Sequence, residues 1–418
     1  MKILFVNTND SSGGAARAAM RIMRGVQRSG VETQMFVKTK YSQSSDVIEL
    51  SCFEPQNVFY RISDLIAKKI KNKWQHYKWH PYKLTKQNVF MSDLRSTRIW
   101  GALQKIDYDI VHLHWINLRF IDVRELSKIH KPIVWTLHDS WPFCGVCHLP
   151  MDCKQYERHC GACPMLGSKK EQDLAYEIFE KKLEAYKDLD LHIVTPSRWL
   201  AECASKSVLL GKFSISVIPN CINTELYQPL NKQVACGVLG LEQEKKYLLF
   251  GAMQATKDPN KGFDLLLKSL NLLHGRTVEL IVYGTNDNLS KYDIPMPVHS
   301  LGYIHDDKQM ALIYNAADVT IVPSKSENLS NTIIESLSCG TPVVAFHIGG
   351  NSDMIDHEQN GYLAEENNCE DLANGIKWCI GHNTDGFLSK NAREKVLNNF
   401  TIDIVSKQYK YLYESLCE

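Results

Sequence analysis

Residues 319–346 read VTIVPSKSENLSNTIIESLSCGTPVVAF, and this stretch carries the pattern that decides the fold. The apolar runs VTIVPS at its start and TPVVAF at its end are typical of short strands buried on both faces. Between them we predict a helix that begins near Thr332 and is ended by Gly340 and Pro342. A strand, a helix and a second strand in this order indicate one unit of a parallel sheet.

The same alternation fills most of the chain, in two sets. The first contains KILFVN (2–7), a helix from Ala15 to about Arg28, and the runs ETQMFV, DIVHLHW, PIVWTLHD and LHIVTPS. The second begins near residue 246 with YLLFGAM and continues with VELIVYG, VHSLGY, VTIVPS and TPVVAF. A break near 220–245 separates them. The sequence therefore predicts an α/β chain of two doubly wound, Rossmann-like domains that face a cleft, over residues 1–222 and 223–398.

Composition narrows the class of protein. The 418 residues include 48 Lys and Arg against 47 Asp and Glu, so the net charge of +1 indicates no general affinity for nucleic acid. The longest apolar runs are shorter than a membrane-spanning helix requires, and MKILFVNTND turns polar too early for a signal peptide. We expect a cytoplasmic protein. Eight of the thirteen cysteines are scattered along the chain, as reduced thiols usually are.

Two glutamates in the deciding stretch form a candidate site. Glu327 lies in the loop after a predicted strand, and Glu335 lies near the start of the following helix. The free backbone N–H groups of residues 331–333 and the helix dipole would attract an anion between them. The two carboxylates could then hold sugar hydroxyls on either side of a bound diphosphate. The alternative is that Thr332 and Glu335 form a capping box and that Glu327 is solvated.

The surroundings of these glutamates resemble a known family. The segments ENLSNTIIESLSCGTPVV (327–344), GGNSDMI (349–355) and NGYL (360–363) are similar to the retaining glycosyltransferases of family 4, which have the two-domain GT-B fold. The resemblance covers most of the chain. It extends to Gly13-Gly14-Ala15, to TPS at 195–197, to IPNCI at 218–222, to residues 251–264 and to Tyr283-Gly284. Among subgroups it is closest to the bacterial exopolysaccharide and capsule transferases, in which HDxWPF (here 138–143) precedes a cysteine-rich insert.

The resemblance implies a role for several residues. Glu327 would contact the hydroxyls of the donor sugar, Glu335 would hold the ribose, and Lys261 would stabilise the departing diphosphate. His138 would hydrogen-bond the donor sugar at the reaction centre. Further donor-binding residues would be Gly13, Gly14, Gln254, Lys257, Asn328, Leu329, Ser330, Asn331 and Thr332.

One departure from the family and two acceptor-side residues complete this set. Many members carry an arginine a few residues before the lysine, whereas this chain has MQATK at 253–257, so that cation is missing or is supplied by Lys257. Asp139 and His114 are predicted on the acceptor side. His112 and His114 alternate in DIVHLHW, and we expect them to point to opposite faces of the strand, with one facing the cleft.

The expected activity is transfer of a hexose from a nucleotide-diphosphate sugar, UDP in preference to GDP, with retention of anomeric configuration. The acceptor would be a saccharide, such as a lipid-linked oligosaccharide of a surface polysaccharide, and catalysis would need no metal cofactor. The resemblance also places residues 399–418 as a helix that crosses back to the first domain. The alternatives are a nucleotide-sugar 2-epimerase of the same fold and a non-catalytic, metal-binding scaffold.

Five cysteines lie within the insert 144–163, and two C-x2-C pairs among them have the spacing of zinc ligands. The resembling subgroup implies Cys147, Cys153, Cys160 and Cys163 as the ligands of a structural zinc ion, with Cys144 in excess. Reduced buried thiols and a disulfide are the alternatives. A cytoplasmic setting disfavours the disulfide.

Residues 61–86, RISDLIAKKIKNKWQHYKWHPYKLTK, hold eight Lys and Arg against one acidic residue, with aromatic residues between them. Such a segment suits contact with an anionic membrane surface, which would place the protein on the inner face of the plasma membrane. A solvated helix face and loop is the alternative interpretation. Nucleic acid is not an expected partner, because no known binding module surrounds the segment.

Overall fold

The computed structural model of the chain describes residues 1–53, 82, 99–273 and 277–417. Its first domain is built on a seven-stranded sheet in the order β3-β2-β1-β4-β5-β6-β7, in which every neighbouring pair is parallel. The strands are β1 Lys2–Asn9, β2 Glu32–Thr39, β3 Val47–Glu49, β4 Ile110–Leu113, β5 Ile133–Thr136, β6 Leu191–Thr195 and β7 Ser214–Val217.

The second domain is built on a six-stranded parallel sheet in the order β10-β9-β8-β11-β12-β13. The strands are β8 Lys246–Gly251, β9 Val278–Tyr283, β10 Val298–Ser300, β11 Val319–Val322, β12 Val343–Phe346 and β13 Gly361–Ala364. The central strands β4, β5, β9, β11 and β12 are buried along their whole length, because helices cover both faces of each sheet.

Helices connect the strands and cover the sheets. They are α1 Gly14–Arg28, α2 Ile99–Leu103, α3 Leu174–Ala185, α4 Arg198–Lys206, α5 Lys232–Leu239, α6 Phe263–Leu270, α7 Asp307–Ala316, α8 Asn331–Ser338, α9 Asn351–Met354, α10 Cys369–His382, α11 Phe387–Asn399 and α12 Ile402–Cys417. Side-chain caps define several starts: Asp173 accepts from two backbone N–H groups of α3, and Asn368 does the same for α10.

The last helix packs on the first domain. Tyr409 Oη lies 3.0 Å from Thr136 Oγ1, and Tyr413 Oη lies 2.7 Å from His112 Nδ1. Gly25 permits the close approach of α1 and α12, since a Cβ at this position would stand 2.7 Å from Cγ2 of Ile402. The apolar side of α12 thereby joins the core of the domain in which the chain begins.

The prediction of two doubly wound α/β domains is confirmed. The strand order reverses between β1 and β4 in the first sheet and between β8 and β11 in the second, and ligands bind at the carboxyl ends of strands beside such reversals. Of the segment 61–86, all but Tyr82 lies outside the described residues. Within the described part of the chain, no helix combines the length and the apolar character needed to cross a membrane.

Candidate active site

A cavity of about 640 Å³ lies between the domains, where the carboxyl ends of the two sheets face each other. Most of the residues that the sequence singles out contribute to its wall. They are Gly13, Gly14, His138, Asp139, Gln254, Lys261, Glu327, Asn328, Leu329, Ser330, Asn331, Thr332 and Glu335. The structure thus assembles residues from both halves of the chain around one space.

Lys261 and Glu327 form an ion pair at this cavity. Lys261 Nζ lies 2.7 Å from Glu327 Oε1, and the two side chains are 26% and 14% exposed. Burial disfavours the ammonium, but the carboxylate of Glu327 outweighs that effect and raises the pKa of Lys261. Lys261 is the last residue of a short 3-10 turn, Pro259–Lys261, and the next residue is Gly262, whose φ of +67° suits glycine. The cavity therefore holds a fixed cation beside a carboxylate.

The amino end of α8 opens into the same cavity. Ser330 is the N-cap residue, and its side chain makes no capping hydrogen bond. Its hydroxyl therefore leaves the first backbone N–H groups of the helix open to a ligand. Glu335 takes no part in a capping box, since its Oε1 accepts from Arg21 Nη2 at 2.8 Å and its Oε2 accepts from Tyr314 Oη at 3.1 Å. An anion could bind at this helix end, beside a carboxylate held by an arginine of the other domain.

His138 lies at the wall of the cavity and is supported from behind by another histidine. His114 Nδ1 lies 2.9 Å from His138 Nε2, and His114 itself does not line the cavity. Burial lowers the pKa of His138 to about 4. The His138 ring is therefore neutral at pH 7 and can exchange hydrogen bonds with a sugar hydroxyl without adding charge.

The expectation that His112 and His114 point to opposite faces of their strand is wrong. Their ring centroids are 4.2 Å apart, because residues two positions apart along a strand share one face. His112 is fully buried, between Thr136 Oγ1 and Tyr413 Oη. It therefore connects the sheet to α12, and only His114 reaches a residue of the cavity.

Asp139 is tied to the loop that follows β5. Its Oδ2 accepts from Trp115 Nε1 at 2.9 Å and contacts His148 Nδ1, and its Oδ1 accepts from the backbone N–H of Trp141 at 2.9 Å. Burial alone would raise the pKa of Asp139, but the charge and hydrogen bond of His148 outweigh it and lower the pKa. Asp139 is thus an ionised carboxylate, and the structure shows no hydrogen bond from it to the imidazole of His138.

Asn328 joins the two domains beside His138. Its Oδ1 accepts from Ser197 Oγ at 2.8 Å, and its Nδ2 donates to the carbonyl oxygens of Leu137 at 3.4 Å and His138 at 3.3 Å. Asn331 Nδ2 similarly lies 3.4 Å from the carbonyl oxygen of Gly14. The loop that carries Glu327 is therefore held against the strand end that carries His138.

Lys257 lies off the wall of the cavity. It is 66% exposed, and its Nζ lies 3.2 Å from Asp287 Oδ1. Sequence reasoning missed other wall residues, among them Arg17, Trp115 and the loop 303–305. The sequence did contain a signal for this loop, since it directly follows the predicted strand VHSLGY, and ligand-binding residues are expected just after a strand. The observed strand β10 is shorter than predicted and ends at Ser300.

The cysteine-rich insert is a compact loop beside His138. Cys147 and Cys163 hydrogen-bond to each other, and Cys160 Sγ accepts from the backbone N–H of Gly145 at 3.2 Å. Among the described residues, no three or more Cys, His, Asp or Glu side chains converge on a point that could hold a metal ion. The zinc site stays a prediction, which metal analysis of the purified protein would test.

A buried lysine anchors this insert. Lys182 of α3 is fully buried, and its Nζ donates to the carbonyl oxygens of Trp141, Cys144 at 2.8 Å and Gly145 at 3.2 Å. Burial lowers the pKa of Lys182 to about 7. The three backbone contacts tie the HDxWPF segment to the domain core, a function that no sequence motif indicated.

Comparison with known proteins gives two family matches. Residues 12–226, about half of the chain, match the family described as Glycosyltransferase Family 4, and residues 244–382 match the one described as Glycosyl transferases group 1. Each match corresponds to one of the two domains. Together they cover both walls of the cavity.

Several curated proteins are similar in sequence. An uncharacterized glycosyltransferase of Methanocaldococcus jannaschii is 23% identical over 81% of this chain and 83% of its own. The putative colanic acid biosynthesis glycosyl transferase WcaC of Escherichia coli K12 is 24% identical over 62% of this chain and 64% of its own. The UDP-Gal:alpha-D-GlcNAc-diphosphoundecaprenol alpha-1,3-galactosyltransferase of Escherichia coli is 26% identical over 51% and 57%. The last two alignments span less than two thirds of those proteins.

Solved structures share the fold. Sucrose-phosphate synthase from Thermosynechococcus elongatus superimposes with a TM-score of 0.68 at 18% identity, over 99% of this chain and 98% of its own. The Anabaena protein HepE in complex with UDP-glucose superimposes with a TM-score of 0.62 at 17% identity, over 99% and 100%. These likenesses extend over nearly the whole chain and confirm the predicted GT-B fold.

Proposed function

We propose a donor, an acceptor and a stereochemical course for this chain, which belongs to glycosyltransferase family 4. The protein is a glycosyltransferase of the GT-B type, with relatives in polysaccharide biosynthesis. We propose that it transfers a hexose from a UDP-sugar to a lipid-linked saccharide, with retention of configuration. The observation that carries this proposal is the single cavity at which Lys261, Glu327, Glu335 and the amino end of α8 meet.

The diphosphate would bind at the amino end of α8. The backbone N–H groups there and the ammonium of Lys261 would stabilise the charge that develops on the leaving group. Glu327, held by Lys261, would accept hydrogen bonds from the sugar hydroxyls, and Glu335 would accept one from the ribose. The neutral imidazole of His138 would contact the sugar without repelling positive charge that develops at the reacting carbon.

The reaction would then depend on positioning and electrostatics. The two domains would hold the donor carbon and the acceptor hydroxyl in one cavity. This positioning would lower the entropy cost of the reaction step, because the two reactants are already together. The acceptor oxygen would attack on the face from which the diphosphate departs, so the anomeric configuration is kept. The side chains of this chain would supply the stabilising charges without a catalytic metal.

Relatives support the choice of substrates. The Anabaena protein HepE forms a complex with UDP-glucose, and one similar Escherichia coli enzyme is a UDP-Gal galactosyltransferase whose acceptor is alpha-D-GlcNAc-diphosphoundecaprenol. On these grounds we propose a UDP-hexose as the donor and a lipid-linked saccharide as the acceptor. A membrane acceptor also agrees with action at the inner face of the plasma membrane through residues 61–86. Flotation of the protein with anionic liposomes tests that contact, and a protein that stays wholly in the soluble fraction would contradict it.

The first experiment is a thermal-shift screen of the full chain with UDP, GDP and their common sugar conjugates. Ligand at 100 times its dissociation constant stabilises a protein by about 2.7 kcal/mol, which is readily seen as a higher melting temperature. We expect a shift with UDP and with one UDP-hexose, and a loss of that shift in Glu335→Ala. A shift with GDP alone would overturn the proposed base, and no shift with any nucleotide would favour the scaffold interpretation.

The second experiment identifies the reaction. The bound donor is incubated with a panel of lipid-linked saccharides, and the anomeric configuration of the product is read by proton NMR. We expect the configuration of the donor. An inverted product would refute retention, and release of a 2-epimerised sugar without transfer would indicate the epimerase instead.

A further inference from the structure

Among the described residues, the second domain contributes a single cation, Lys261, to the wall of the cavity. In the segment MQATK at 253–257 the only basic residue is Lys257, and it lies off the cavity wall beside Asp287. Lys261 does line the cavity, but Glu327 already neutralises much of its charge at 2.7 Å. A diphosphate leaving group carries more negative charge than one such lysine balances, so the positive charge must come from elsewhere.

The charges of the described cavity wall point to Arg17. Among the residues that the structure describes, Arg17 and Lys261 are the two wall residues with a permanent positive charge. Among the described residues Arg17 makes no side-chain hydrogen bond or ion pair, and its side chain is only partly buried. Four carboxylates line the described wall, and other groups engage each of them: Lys261 pairs with Glu327, Arg21 pairs with Glu335, His148 contacts Asp139, and the backbone N–H of Asn260 donates to Asp258. Arg17 therefore remains available to a ligand.

The position of Arg17 fits a bound diphosphate. It lies in the first turn of α1, directly after Gly13 and Gly14, and the start of α1 contacts the start of α8 through Asn331 Nδ2 and the carbonyl oxygen of Gly14, 3.4 Å apart. Two helix amino ends and Arg17 therefore surround one point of the cavity. Each of these features favours an anion at that point.

A neighbouring arginine holds this face of α1 toward the second domain. Arg21 stands four residues after Arg17, so the two side chains share one face of the helix. Arg21 Nη2 donates to Glu335 Oε1 at 2.8 Å, and Glu335 is itself a wall residue. The Arg21–Glu335 pair thereby fixes the position of α1 relative to the second domain, with Arg17 on the cavity wall.

We propose that Arg17 is a catalytic residue that binds the diphosphate of the donor from the first domain, in place of an arginine in the segment 253–257, which has none. Its planar guanidinium can donate two parallel hydrogen bonds to phosphate oxygens, which a lysine cannot reproduce. The contact strengthens as charge develops on the leaving diphosphate, so it lowers the barrier of transfer. This inference rests on the proposed function, and it adds that the donor is bound by both domains at once.

Calorimetric titration of the full chain with UDP and with uridine tests the contact, since only UDP carries the phosphates. We expect Arg17→Gln to weaken UDP binding about 10- to 100-fold and to leave uridine binding unchanged. Arg17→Lys should recover part of the loss, because it keeps the charge but not the paired hydrogen bonds. The kcat of transfer should fall about 10²- to 10³-fold in Arg17→Gln. Arg24→Gln, an exposed residue of the same helix, is the matched control and should behave as the wild type.

The outcomes separate this inference from the proposed function. If Arg17→Gln binds UDP as tightly as the wild type, or loses uridine affinity as much as UDP affinity, the inference is overturned while the proposed function stands. If the wild type binds UDP no better than uridine, and GDP no better than guanosine, both are overturned. A thermal unfolding curve for each variant identifies any that fails to fold, and in that case Arg17→Lys decides by the same ratio of UDP to uridine affinity.

Discussion

Replacing Arg21 by methionine removes one half of a buried ion pair that joins the two domains. Arg21 Nη2 and Glu335 Oε1 are 2.8 Å apart, and the side chains are 13% and 6% exposed. The carboxylate lowers the free energy of the buried guanidinium enough to raise the pKa of Arg21 in spite of burial. Glu335 accepts hydrogen bonds from Arg21 and from Tyr314 Oη, which lies 3.1 Å from its Oε2. In the variant, the bond from Tyr314 would remain and the one from Arg21 would be lost.

The magnitude follows from the carboxylate that is left without its cation. Truncating one partner of a buried ion pair costs about 3–5 kcal/mol, because an unpaired charge stays behind. We therefore expect Arg21→Met to lower the free energy of unfolding by about 3 kcal/mol, the low end of that range, because Tyr314 Oη still donates to Glu335.

Thermal unfolding at pH 7 measures this loss, with a melting temperature lower by roughly 10 °C expected for a domain of this size. Arg24→Met on the exposed side of α1 is the control. No loss of melting temperature relative to Arg24→Met would refute the reasoning.

Four further results are expected. Lys261→Ala should lower kcat about 10²- to 10³-fold, because the leaving diphosphate loses its cation; unchanged single-turnover rates would exclude that role. Gly262→Ala should lower the melting temperature and the activity together, because φ is +67° and a Cβ would stand 1.8 Å from the carbonyl oxygen of Pro323; a variant as stable as the wild type would contradict this. Burial lowers the pKa of His138 to about 4, so the stabilisation from its neutral ring is complete above pH 6.5 and is lost as pH falls toward 4; between pH 6.5 and pH 4 the free energy of unfolding, measured with urea, should fall by about 3 kcal/mol less in His138→Asn than in the wild type, and an equal fall would argue against this. Transfer should persist after dialysis against EDTA, and recovery only on adding a divalent metal would disprove metal-independent catalysis.

Short-range patterns account for what could be read about the fold. Apolar runs of four to eight residues predict buried strands, and helix stops such as Gly340 act within a few residues of the element they end. Both signals are local, so the two α/β domains followed from the sequence without any knowledge of contacts. The error at His112 and His114 was one of strand geometry, since the period of two places them on the same face.

The sequence predicted the residue types of the site but not which side chains pair with each other. The order of motifs placed Glu327, Glu335 and Lys261 in one site by family resemblance, and the structure brings them to one cavity. The partners of these residues had no signal, because Lys261 and Glu327 are separated by 66 residues and Arg21 and Glu335 by 314. Lys257 shows the converse, since its spacing suggested a ligand cation and its neighbour Asp287 holds it off the cavity wall.

The sequence by itself determined the strands, the helices, the two-domain order and the types of residue that could bind a nucleotide sugar. Tertiary structure alone decided which charges neutralise each other and which remain open to a ligand. Arg17 and Arg21 are the same residue type, one helical turn apart. Arg21 pairs with Glu335 of the other domain, whereas Arg17 lines the cavity without a side-chain partner among the described residues. The reason is physical: strand and helix formation depends on neighbours along the chain, whereas the energy of a charge depends on distances in space and on the exclusion of water.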